Sequence, residues 1–162
     1  MAGMKSRDVI KLAVSIVACQ CAGLIGSVFT TPAIPTWYAT LQKPFFNPPN
    51  WLFAPAWVTL YLLMGIAAFL IWRQGLGQKG VRAALIIFLV QLVLNALWSV
   101  VFFGLQSPLY GVVVILALWV AILLTILSFF RLSTAAGVLL LPYILWVSFA
   151  AVLNVAILVL NP

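Results

Sequence analysis

Five runs of about twenty nearly uninterrupted apolar residues decide what this chain can fold into. They cover 9–29, 51–72, 81–104, 109–130 and 135–160. At about 1.5 Å of rise per residue, each is long enough as a helix to cross the ~30 Å hydrocarbon core of a bilayer. Lipid offers the backbone no hydrogen-bond partners, so each run must be a helix that satisfies its own N–H and C=O groups. Of 162 residues 67% are apolar and 6% charged, and no soluble domain of that size hides so much apolar surface. The sequence therefore predicts an all-α membrane protein, one five-helix transmembrane bundle over residues 1–162. It shows no internal repeat or domain boundary. The connectors at 73–80, 105–108 and 131–134 are short, and only the loop at 30–50 is long. Ser107-Pro108 is suited to capping and opening the fourth helix, and Asn50 to capping the second.

The basic start and the Ala18-Cys19 pair of the first run could imitate a signal peptide. Lys11 interrupts the run, and apolar character continues well past Cys19, which favours a membrane helix. Charge then sets orientation. Lys5, Arg7, Lys11, Arg73, Lys79, Arg82 and Arg131 fall on one side and only Lys43 on the other. Positive residues collect on the cytoplasmic side, so the N-terminus is expected there and the long loop outside. The same asymmetry accounts for the net charge of +7 without nucleic acid, for which the basic residues are too scattered. With Asp8 the only acid and no histidine, paired-carboxylate catalysis and His-based metal or acid–base sites are excluded. Cys19 and Cys21 read as small buried apolar residues, and no metal or cofactor is expected.

Inside the spans the informative residues are polar or aromatic. Trp51 and Trp72 sit at span ends, where an aromatic belt explains them. The third span puts Gln91, Asn95, Trp98, Ser99 and Phe102 on one helical face. The second groups Trp57, Tyr61, Met64 and Ala68, and the fifth Tyr143, Trp146, Ala150 and Asn154. Taken singly, Gln91 and Asn154 read as interhelical glue. Together the stripes point to an internal cavity, because tightly packed membrane helices meet through small residues rather than facing tryptophans. The first span shows that contrast: Ser15, Cys19, Gly23 and Ser27 recur every four residues, as do Ala18, Ala22 and Gly26. Pro55 and Pro142 are expected to kink their helices and widen the bundle.

The sequence WYATLQKP at 37–44, the following NPP, Trp57, the Gln91/Asn95/Trp98 spacing and LPYILW at 141–146 together resemble the TspO/MBR family of tryptophan-rich sensory and translocator proteins. The likeness spans nearly the whole chain in the family's order. It departs at Phe46, where the family often has Trp, and in the tail, which lacks the Leu/Val-Tyr-Lys/Arg sterol motif. Lys43, Phe46 and Leu52 satisfy only the reversed pattern, a weak signal. The resemblance implies a bundle, often a homodimer, that binds protoporphyrin IX and synthetic isoquinoline or benzodiazepine ligands beneath the first loop. Carried over by motif, the lining is Tyr38, Pro48, Phe53, Trp57, Tyr61, Asn95, Ser99, Trp146, Ala150 and Leu153. Trp57 and Trp146 match the family's tryptophans linked to light-dependent porphyrin breakdown.

Five prolines between Pro32 and Pro49 restrict the loop, so closing it over a ligand loses less entropy. Trp37, Tyr38, Phe45 and Phe46 would give this lid an apolar underside, and Lys43 would meet a ligand carboxylate or anchor at the interface. The leading expectation is a membrane receptor for flat hydrophobic ligands. Without histidine it should favour metal-free porphyrin over haem. The alternatives are a photo-oxidative porphyrin-degrading activity at Trp57 and Trp146, or a passive transporter of tetrapyrroles or sterols. Ion-coupled pumping lacks an acid at depth and an inverted repeat. The membrane expected is that of a prokaryotic cell.

Overall fold

The computed structural model describes residues 6–162, so Lys5 of the charge argument lies outside the described residues. Helix α1 is Ser6–Ala33, and α2 is a single turn, Trp37–Thr40. A 3-10 turn at Asn50–Leu52 leads into α3, Phe53–Trp72. Helix α4, Val81–Ser99, continues as a π turn through Val100–Gly104. Then come α5 (Pro108–Phe130), α6 (Thr134–Leu139) and α7 (Leu141–Leu160). The described residues hold no strand, and five helical stretches are long and apolar enough to cross a membrane. The chain is an all-α membrane bundle. Around it the order is α1, α3, α6–α7, α5, α4 and back to α1.

Small residues bring α1 close to its neighbours. Its buried line is Ser15, Cys19, Ala22 and Gly26, members of both stripes seen in the sequence, while Ala18, Cys21 and Ser27 are exposed. The reason is geometric. A strict four-residue repeat drifts about 40° round the helix at each step, so a straight contact line must alternate steps of four and three. Cys21 is thus not the buried residue expected. Opposite, a Cβ on Gly65 of α3 would stand 2.7 Å from the Cα of Ile16. Gly65→Val is expected to cost about 1–3 kcal/mol through overpacking. Thermal unfolding in detergent measures it, and Gly77→Val, in open space, should leave the melting temperature unchanged.

The helix ends correct several expectations. Helix α1 runs beyond residue 29 to Ala33, held by Thr30 Oγ1 donating to the Gly26 carbonyl at 3.0 Å. The loop proper is therefore 34–49. Ser107 does cap α5, its hydroxyl accepting from the Tyr110 N–H, with Pro108 at the first position. Asn50 caps nothing, because the 3-10 turn displaces the start of α3 to Phe53. Pro55 is the third residue of α3, where its missing N–H falls among donors that are free anyway, so no kink is required. At Pro142 the helix is interrupted outright at Leu140, giving α6 and α7.

Candidate ligand cavity

The π turn of α4 shapes the upper bundle. The Leu105 N–H bonds to the Val100 carbonyl at 2.8 Å, five residues back, and the extra residue turns both Phe102 and Phe103 inward. The Trp98 ring lies on Phe102 with centroids 5.3 Å apart at 20°, and its indole N–H donates to Asn154 Oδ1 at 3.1 Å. Asn154 Nδ2 donates in turn to the Pro108 carbonyl at 3.1 Å, tying α4, α7 and the start of α5 together.

Deeper in the bundle a hydrogen-bond chain links α3, α4 and α7. The Tyr61 hydroxyl donates to Asn95 Oδ1. Asn95 Nδ2 donates to Tyr143 Oη at 2.9 Å, and Tyr143 to Gln91 Oε1 at 2.9 Å. Tyr61, Asn95, Tyr143 and Gln91 are all buried, and Gln91 Nε2 ends the chain with no protein partner. Polar groups at this depth are held by each other, as lipid demands.

Above this chain lies a cavity of about 260 Å³ between α1, α3, α4, α7 and the loop. Seven residues expected from the sequence line it: Tyr38, Phe53, Trp57, Tyr61, Ser99, Ala150 and Leu153. Pro48, Asn95 and Trp146 do not. Asn95 is spent on Tyr61 and Tyr143 and reaches the cavity through those rings, Tyr61 in its wall and Tyr143 edge-on behind Trp57. Trp146 stands one ring back, edge-on to Phe53 at 6.2 Å and tilted against Phe149 at 5.8 Å. Trp57 is in the wall itself, stacked on Tyr61 at 5.5 Å and 29°.

Sequence reasoning missed the wall that α1 supplies: Gln20, Gly23, Gly26, Ser27 and Thr30. Gly23 and Gly26 were legible as close-contact residues. They are that, since a Cβ on Gly26 would come 2.9 Å from Ser99 Oγ, but their missing side chains also leave room for the cavity. On this side Leu24, Ser27, Ala54 and Val58 line the cavity and are themselves exposed, so it opens between α1 and α3.

The loop closes the top. Tyr38 is 3% exposed, and its hydroxyl donates to Asn47 Oδ1 at 2.7 Å. Trp37 meets Phe102 edge-on at 5.5 Å, and Phe46 meets Phe149 at 6.3 Å. Phe45 is fully exposed and takes no part in the underside predicted for it. Lys43 turns back on the loop: its ammonium sits 4.8 Å over the Tyr38 ring and donates to the Leu41 carbonyl at 3.2 Å, so it does not point at the cavity. Burial pushes the Tyr38 phenol up to about 12 from its ordinary value of 10.0. The closed loop thus holds its proton more tightly than an open one. Closure is expected to be independent of pH below 10 and to weaken between 10 and 12, which exchange or labelling of loop residues against pH would show.

These features define an integral multi-pass membrane protein whose helices enclose an aromatic cavity beneath a proline-rich loop. The TspO/MBR family pattern matches residues 15–160. Over 155 residues the chain is 49% identical to the tryptophan-rich protein TspO of Archaeoglobus fulgidus, covering 95% of this chain and 99% of that one. It is 45% identical over 157 residues to the tryptophan-rich protein TspO of Chlorobaculum tepidum, covering 97% and 99%. Against the translocator protein of Homo sapiens it is 36% identical over 132 residues, covering 80% and 78%. The chain belongs to the TspO/MBR family.

Proposed function

We propose that the cavity is the receptor site for a flat, hydrophobic, conjugated ligand of the protoporphyrin IX type. The observation that carries this reading is an apolar chamber inside a membrane bundle walled by Phe53, Trp57, Tyr61, Trp98 and Phe102. Aromatic walls give a planar ring its stacking area, and Ser99 and the Trp57 indole N–H add polar contacts that fix its orientation. The volume is just below the range of roughly 300–1,000 Å³ usual for small-molecule sites. A macrocycle requires the loop to lift or the α1–α3 opening to widen. Titration of protoporphyrin IX in darkness, following quenching of tryptophan fluorescence, tests the reading. Saturable quenching supports it, and quenching no greater than that of free tryptophan in the same detergent refutes it.

A second reading is favoured by the position of Trp57 in the wall: a light-excited macrocycle takes one electron from the indole, and dioxygen reacts with the radical pair. The protein is further proposed to be a homodimer in a prokaryotic cell membrane with a cytoplasmic N-terminus. The basic residues support that orientation, because Lys11 Nζ donates to the Trp72 carbonyl at 3.3 Å and Gln74 Nε2 to the Leu132 carbonyl at 3.2 Å, gathering their segments at one end. Gln42 is exposed on the opposite loop. Gln42→Cys should react with an impermeant maleimide on intact cells, and labelling only after permeabilisation reverses the topology.

A further inference from the structure

The loop is fastened to the bundle at one polar point. Asn161, just beyond α7, accepts the Gln42 N–H on its Oδ1 at 2.9 Å and donates from Nδ2 to the Gln42 carbonyl at 2.9 Å. The same Nδ2 donates to the Ile157 carbonyl at 2.8 Å, which also accepts the Asn161 backbone N–H at 3.1 Å. One amide thus bonds both backbone groups of a loop residue while anchored to the last turn of α7. Among the described residues, no other hydrogen bond joins the middle of the loop, 37–47, to a residue outside the loop, 34–49.

The loop is also built to move as a unit. The bond from Tyr38 to Asn47, the Asn47 N–H on the Pro44 carbonyl at 3.0 Å and the Lys43 ammonium on the Leu41 carbonyl all lie within it. Its remaining hold on the bundle is apolar: Trp37 on Phe102, the buried Tyr38 against Phe102 and Phe103, Phe46 on Phe149, and Leu41 packed in the same cluster. Aromatic contacts tolerate sliding, whereas a two-point amide-to-backbone bond fixes one register.

We propose that Asn161 is the latch of the lid: it sets how long the loop stays closed, and so how long a bound ligand is retained, without touching the ligand. The retention half rests on the cavity being a ligand site; the closure half does not. With the full chain in detergent, amide hydrogen exchange is measured at Gln42 and Asn47 in the parent, Asn161→Leu and Asn161→Asp. Protoporphyrin IX release in darkness is measured on the same samples. Asn161→Leu removes both bonds to Gln42 and is expected to speed Gln42 exchange and porphyrin release about tenfold. The Asn47 amide and the melting temperature should be unchanged, which a merely structural role would not leave intact. Asn161→Asp keeps the acceptor but loses both donated bonds, and should fall between the two. If Gln42 exchange is the same in all three proteins, there is no latch. If exchange rises and release does not, the loop is not what retains the ligand, and the proposal is overturned in that half. A parent protein that binds no porphyrin removes the receptor reading, while the exchange comparison still decides whether Asn161 holds the loop.

Discussion

Trp57→Phe is expected to reduce light-driven bleaching of bound protoporphyrin IX to a small fraction of the parent rate while barely altering binding in the dark. The phenyl ring keeps an aromatic surface against Tyr61 and most of the apolar contact, so the loss in binding should be about 1 kcal/mol or less. What disappears is the more easily oxidised indole in direct contact with the ligand space. Trp146→Phe should have a weaker effect, because Phe53 stands between that ring and the cavity. This ordering differs from what the sequence implied, where both tryptophans were equivalent. Trp72→Phe, at the far end of α3 beside Lys11, should change neither quantity. Steady illumination followed by porphyrin absorbance reads the rate. Equal bleaching by all three variants would remove Trp57 from the photochemistry.

The second large effect is expected at Asn95. Leucine there fills nearly the same volume but strands the Tyr61 hydroxyl without an acceptor and Tyr143 without a donor, both in the buried centre. Orphaned buried groups cost about 1–3 kcal/mol each in water-soluble cores, and interhelical bonds in membranes average about 0.6 with a maximum near 1.7. Asn95→Leu should therefore destabilise the ligand-free protein by about 1–3 kcal/mol. Ligand affinity should fall indirectly, through the loosened Tyr61 and Tyr143 rings. A double-mutant cycle with Tyr61→Phe separates the two roles: coupling near 1 kcal/mol supports the chain, and strictly additive losses contradict it.

Much of the architecture could be read from the residues. The five apolar runs fix the helices because lipid leaves the backbone no alternative, and the aromatic and polar stripes mark which faces turn inward. The Ser107-Pro108 start of α5 was equally legible, since a cap is a local device. The π turn was not. Its extra residue depends on how Val100–Gly104 meets the left-handed Gln106 and the start of α5, a tertiary compromise that no periodicity announces. That turn brings Phe103 into the cavity wall, and so Phe103 was missed. The Asn95 partners were hidden for a related reason: a polar residue on an inward face bonds either a ligand or another helix, and sequence spacing does not say which. Lys43 and Phe45 show the same limit in the loop. Lys43 is turned by the Tyr38 ring of its own loop, and the loop is seated by the Asn161 fastening, a contact between segments far apart in the chain.

The most direct test of the central claim, that the space between α1, α3, α4 and α7 is the ligand site, is to fill it. Ala150 lines the cavity, whereas Val155 on the same helix is exposed on the outer surface. Protoporphyrin IX is titrated in darkness into the parent, Ala150→Trp and Val155→Trp, following the porphyrin's own absorbance so that the added indole does not interfere. Loss of affinity by at least about tenfold, near 1.4 kcal/mol, is expected for Ala150→Trp alone. Equal affinity in all three proteins would mean that the porphyrin binds elsewhere, and the account of the cavity would be wrong.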